Sequence, residues 1–120
     1  MPWKLSLMKC EACRAGAPQV TQNEIVEYSE QVPGWRVVKD QEINKLTKTF
    51  TFKDWAEAIS FANRVGELAE EEAHHPALLV EWGRVNVSWW THAIKGLHKN
   101  DFIMAAKTEE LASPAGNATQ

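Results

Sequence analysis

The chain has 120 residues, and its thirteen basic and sixteen acidic side chains are mixed along its length for a formal net charge of −3. Such a length is one domain with a single core, and the absence of a basic block leaves nucleic-acid binding without electrostatic support. The apolar residues of Met1 to Lys9 form no uninterrupted run suited to a signal peptide, and nothing approaches a membrane span, so a soluble, cytoplasmic protein is expected.

Cys10 and Cys13 form a C-x-x-C in a segment that continues with Gly16 and Pro18. Zinc would need two further ligands, and no second pair exists. Redox use would need the pair to follow a strand and open a helix. Residues 1–20 therefore read as an N-terminal loop or tail carrying two reduced, unligated thiols. Thr21 with Glu24 is a capping box that opens a helix. Ile25, Tyr28 and Val32 keep one of its faces apolar until Pro33-Gly34. Two strands are expected next, near Trp35 to Lys39 and Ile43 to Phe52, turning at Asp40-Gln41. In the second, Leu46, Phe50 and Phe52 share one parity against Lys45, Thr47, Thr49 and Thr51, the alternation of a half-buried strand.

Asp54 with Glu57 is a second capping box, opening the longest helix. Trp55, Ala58, Ile59, Ala62, Val65, Gly66 and Ala69 recur along one stripe of it. Pro76 forbids continuation and pushes His75 toward extended geometry. Leu78 to Glu81 and Val85 to Trp90 read as a hairpin turning at Trp82-Gly83-Arg84. Val85, Val87 and Trp89 face one way, and Asn86, Ser88, Trp90 and His92 the other. A last helix is expected from Lys99 to Leu111, with Phe102, Ala105 and Ala106 inward and Asn100 as its cap. Residues 112–120 read as a disordered tail. The order αββαββα predicts a single α+β domain over residues 21–111, a four-stranded antiparallel sheet with helices packed on one face.

Glu70 to Asp101 carries the chemistry, in the pattern E-x3-H-H-P-x5-W-x9-H-x8-D. Its members are Glu70, His74, His75, Pro76, Trp82, His92 and Asp101. Histidine gives and takes protons near neutral pH, so this cluster with acidic and aromatic neighbours is a candidate acid–base site for a flat, polar ligand. Taken singly, each residue has a bland reading. Trp82 is a residue exposed at a turn, Asp101 a charge at a helix N-terminus, and Glu70 part of the solvated run Glu70-Glu71-Glu72. His98 falls outside the pattern and reads as surface, while Trp89 and Trp90 read as core and interface. A metal site is disfavoured, because the H-E-x-x-H spacing that presents two ligands on one helix face is absent.

The pattern resembles that of the pterin-4a-carbinolamine dehydratases, and every position of that family's signature is filled. The likeness extends to Phe50-Thr51-Phe52-Lys53-Asp54-Trp55 and to Lys95-Gly96-Leu97, and covers roughly Val20 to Leu111. The resemblance implies the same fold, with sheets joining across a dimer and helices pairing dimers, hence a homodimer or homotetramer. It implies a 4a-hydroxytetrahydropterin substrate, left by an aromatic amino acid hydroxylase, which loses its 4a-hydroxyl as water and its N5 proton to give quinonoid dihydropterin. No cofactor and no metal are required. Carried over, His74 and His92 are the general acid–base residues and His75 is the companion that binds and orients the pterin. Glu70, one turn before His74, holds a ring nitrogen or that histidine. Asp101 orients a histidine through its ring N–H, Trp82 stacks on the heterocycle, and Pro76 sets the chain reversal. The alternative implied by the same family is a protein-binding module. Animal members act as dimerisation cofactors for a homeodomain transcription factor, and other relatives are linked to enzyme assembly.

Overall fold

The computed structural model describes residues 4–8 and 18–112, and its helices begin where side chains can cap them. In α1 (Gln22–Ser29) both arms of the capping box form: Thr21 Oγ1 accepts from the Glu24 N–H (3.1 Å) and Glu24 Oε1 from the Thr21 N–H (2.8 Å). In α2 (Trp55–Glu72) only one arm forms. Asp54 Oδ1 accepts from the Glu57 N–H (2.9 Å), but the Glu57 carboxylate reaches the Lys53 N–H instead. The last helix, α3 (Lys99–Ala112), is capped by His98, whose ring Nδ1 accepts from the Asn100 N–H at 3.1 Å. Asn100, expected as the cap, is buried in the first turn.

Strands β1 (Arg36–Asp40), β2 (Ile43–Thr51), β3 (Ala77–Glu81) and β4 (Arg84–Trp89) form one antiparallel sheet in the order β1-β2-β4-β3. The register sets Leu46 opposite Trp89 and Phe50 opposite Val85. Those residues and Val87 are buried, and α2 and α3 cover that face. This is the α+β domain that the periodicities predict. Phe61, not on the expected stripe, is the aromatic that α2 buries, with ring centroids 4.9 Å from Phe50 and 5.1 Å from Phe52. Trp55, expected on that stripe, occupies the first helical position and stays half exposed. Lys48 has the parity of Leu46 and Phe50 yet is accommodated inside, paired with Glu109 of α3. On the uncovered face a polar ladder closes over Thr47, whose hydroxyl lies 3.0 Å from Ser88 Oγ and donates to the Val87 carbonyl (3.1 Å).

The first half of α3 is buried almost all round. One side meets the sheet, and the other meets a single 3-10 turn, Leu5–Leu7, in the segment expected as a tail. Leu5 is fully buried there, its N–H donating to Gln31 Oε1 (2.8 Å), and Lys107 Nζ donates to the Ser6 carbonyl (3.0 Å). Cys10, Cys13 and residues 113–120 lie outside the described residues. Among the described residues, no helix is long and apolar enough to cross a membrane.

Candidate active site

The site begins where α2 ends. Ala73 takes a left-handed conformation (φ 54°), its N–H reaching the Glu70 carbonyl, and the His74 N–H reaches the Ala69 carbonyl at 3.0 Å. These are the two bonds of a Schellman turn, built with alanine where glycine is usual. The turn breaks the helical spacing between Glu70 and His74, and it separates the two histidines. His74 goes inward, its side chain 10% exposed, while His75 stays 57% exposed. Glu70, expected one turn below His74, instead meets His75 Nε2 at 2.7 Å through Oε2. The i to i+4 geometry that would have paired Glu70 with His74 ends at Ala73. Pro76 follows with a trans peptide bond and leads into β3.

His74 Nε2 lies 2.7 Å from Oδ1 of Asp101, whose side chain is 0% exposed. Oδ2 of the same carboxyl accepts from Thr91 Oγ1 and from the His98 backbone N–H, both at 2.9 Å. Two donors thus fill Oδ2. Oδ1 is then the oxygen that faces His74, and an Nε2–H imidazole would donate to it with Nδ1 unprotonated. The position of Asp101 in the first turn of α3 adds the positive end of the helix dipole. The Trp89 ring stacks on His74, centroids 5.9 Å apart and planes at 16°. Trp89 is itself anchored by its Nε1–H to Thr108 Oγ1 (3.2 Å).

Thr91 is buried at the start of a loop that its backbone closes on Gly96, with Thr91 N–H to Gly96 O at 2.8 Å. Inside the loop His92–Ile94 make one 3-10 turn, ended by Lys95 at φ 51°. His92 is exposed, its ring centroid 4.5 Å from that of Trp90. Trp82 is 70% exposed in the β3–β4 turn. The hairpin puts it at the end away from His74 to Pro76, about five extended residues or roughly 17 Å off. Within one chain, then, His74, Asp101 and the His92 loop meet at one end of the sheet, with Glu70 and His75 beside them and Trp82 apart. Among the described residues no three histidine, cysteine or acidic side chains converge as a metal cluster.

Thr91, His98 and Trp89 belong to this constellation and were not singled out for it from the sequence. His98 and Asp101 do carry a legible signal, a residue before a helix with an acid three places on, the spacing of a capping box. No local signal marks Thr91, whose role depends on the loop folding back over α3.

A family model described as pterin 4 alpha carbinolamine dehydratase matches residues 18–111. A protein of Nitrosococcus oceani provisionally named pterin-4-alpha-carbinolamine dehydratase is 56% identical over 107 residues, 89% of this chain and 95% of its own length. One from Gloeobacter violaceus with the same kind of name is 54% identical, over 93% of this chain and 97% of that protein. Among solved structures, a transcriptional coactivator/pterin dehydratase of Brucella melitensis superposes with a TM-score of 0.72 at 30% identity, over 80% of this chain and all of that one. A pterin dehydratase-like protein described as a RuBisCO assembly factor in the alpha-carboxysome matches at TM-score 0.57 and 24% identity, over 71% of this chain and 93% of that one; the likeness is one of fold.

Proposed function

Because this chain belongs to the pterin 4 alpha carbinolamine dehydratase family, we propose that it dehydrates a 4a-hydroxytetrahydropterin to quinonoid dihydropterin. In that reaction the C4a–O bond breaks and the hydroxyl takes a proton and leaves as water, while N5 loses its proton. One group must give a proton and another accept one, and imidazole can do either. The observation that carries the reading is the buried His74–Asp101 pair at 2.7 Å, with Trp89 stacked on the imidazole. The Thr91 and His98 donors on Oδ2 hold the carboxyl in place and leave Oδ1 turned to the imidazole. In this scheme His74 exchanges its proton through Nδ1, with Asp101 fixing the ring and its tautomer. His92 is the second acid–base group, and the exposed His75–Glu70 pair contacts the polar edge of the pterin. The substrate would come from a pterin-dependent aromatic amino acid hydroxylase.

The test is a dehydration assay on 4a-hydroxytetrahydropterin with the spontaneous rate subtracted, run on wild type, His74→Ala, His92→Ala and the double variant. Acid–base assistance of this kind is worth about 10²–10⁴-fold. Each single change should lower kcat and leave residual activity, the double variant should approach the spontaneous rate, and His75→Ala should act chiefly on KM. A folded double variant with wild-type kcat would move the chemistry elsewhere. Full activity after exhaustive chelation is expected as well; loss restored by zinc would favour a metalloenzyme. A role purely as a binding module predicts no dehydration above the spontaneous rate in wild type.

A further inference from the structure

We propose that Trp90, braced by Lys45, is the positioning residue that orients the His92 imidazole. The proposal rests on the dehydratase reading for its kinetic consequences but not for its geometry. The loop around His92 is well closed as backbone: Thr91 and Gly96 bridge, and Gln19 Nε2 donates to the Ile94 carbonyl at 3.3 Å. That closure fixes the Cα of His92 and leaves its ring free to turn about two side-chain torsions, since the residue is exposed. His74 has a buried carboxyl to orient it, but His92 has no such partner among the described residues. Its ring contact is Trp90, 4.5 Å between centroids and tilted by 35°.

Trp90 is itself held. The β2–β4 register ends with Leu46 opposite Trp89, so Lys45 and Trp90 are the next residues along the two chain segments. Lys45 Nζ lies 4.2 Å from the Trp90 ring centroid, a cation–π contact, and 2.9 Å from Asp40 Oδ2 at the end of β1. Only 14% of the Lys45 side chain is exposed, so the ammonium is confined to these two neighbours rather than sweeping through solvent. Asp40, Lys45, Trp90 and His92 thus form a chain of contacts from the β1–β2 turn to the catalytic loop.

Trp89 is the last residue of β4 and Trp90 the first residue beyond it. The Trp89 ring stacks on His74 and the Trp90 ring packs on His92. One dipeptide therefore carries both imidazoles at the same end of the sheet. A shift of about 1 Å in a reacting group can cost a factor on the order of 10² in rate, so a loosened His92 loses catalysis without losing the fold.

The experiment pairs Trp90→Leu, which keeps apolar bulk without a ring, with Trp90→Phe, which keeps a ring. Proton–carbon NMR of the His92 ring, assigned with His92→Gln, reads the contact directly through the ring current. Trp90→Leu should move the His92 ring signals toward exposed-histidine values, and Trp90→Phe should hold them part of the way. In the dehydration assay Trp90→Leu should lower kcat by about 10- to 100-fold with KM little changed, and Trp90→Phe should recover most of it. Placed in a His92→Ala background, Trp90→Leu should cost nothing further, because it acts through that imidazole. Unchanged His92 signals in folded Trp90→Leu would overturn the proposal whatever the activity, as would a kcat loss undiminished by His92→Ala. If Trp90→Leu does not fold, Lys45→Met tests the same chain from its other end. Joint movement of the Trp90 and His92 ring signals supports the proposal, and a static His92 signal overturns it. Absence of dehydration in wild type would refute the dehydratase reading alone, since the NMR arm needs no turnover.

Discussion

Asp101 has no exposed surface, and a carboxylate taken that far from water is stable only if its lone pairs are filled. His74, Thr91 and the His98 N–H supply three hydrogen bonds. Thr91→Val keeps the shape and deletes one of them. Hydrogen bonds to charged groups contribute on the order of 1.5–3 kcal/mol, so a loss of that size in urea unfolding is expected, with Thr91→Ser restoring most of it. Asp101→Asn should fold and lose at least about tenfold in kcat, because an amide no longer compels the Nε2–H form of His74. Wild-type kcat in folded Asp101→Asn would mean that the carboxyl serves the helix and not the histidine. Asp101 is singled out in the sequence by its place in the spacing that runs from Glu70, while an acid in the first turn of a helix reads on its own only as a helix charge. Two of its three hydrogen-bond partners are not singled out, since Thr91 and His98 reach it through the shape of the loop between β4 and α3.

Besides Lys95 in the His92 loop, elements end on left-handed non-glycine residues in two places. Ala73 is left-handed after α2, and Gln41 and Glu42 are both left-handed (φ 53° and 67°) in the two-residue turn between β1 and β2. Non-glycine residues pay about 1–2 kcal/mol for that conformation, partly offset by the greater unfolded freedom of glycine. Ala73→Gly and, separately, Gln41→Asn with Glu42→Gly should each raise stability by roughly 0.5–1 kcal/mol, seen as a higher denaturation midpoint at constant slope. A lower midpoint in Ala73→Gly would show that its methyl group makes a contact worth more than the strain. The sequence places the first hairpin turn at Asp40-Gln41, one residue early, because neither Gln41 nor Glu42 advertises a positive φ. Pairing of Asp40 with Ile43 decides it. The Trp82-Gly83 turn is better marked, with Gly83 at φ 74°.

At the scale of the molecule, the strand order leaves β1 and β3 as sheet edges within the chain. Leu79 in β3, Trp82 beside it and Trp55 at the start of α2 are large apolar side chains at least 47% exposed. Free edges and apolar surface of this kind invite association, and the family resemblance implies dimers joined through their sheets. Light scattering at micromolar concentration should give two or four times the chain mass; a monomer mass would contradict that expectation. Trp82, set apart from the histidines of its own chain, gains no role in the chemistry from the single chain.

The sequence by itself determined the number and order of the α-helices and strands, though not the 3-10 turns, together with the inward parity of β2 and β4 and the spacing that singles out His74, His75, His92 and Asp101. These are local properties, set by caps, proline and periods of 2 and 3.6 residues. Only the tertiary structure decided which carboxylate meets which histidine. Helical spacing assigns Glu70 to His74, but the left-handed Ala73 ends that spacing, and His74 finds Asp101 27 residues away while Glu70 takes His75. The tandem Trp89-Trp90, the capping His98 and the buried Thr91 likewise acquire meaning only when the end of β4 is laid against the start of α3. Contacts between elements follow from register and packing, and no periodicity within one element encodes them.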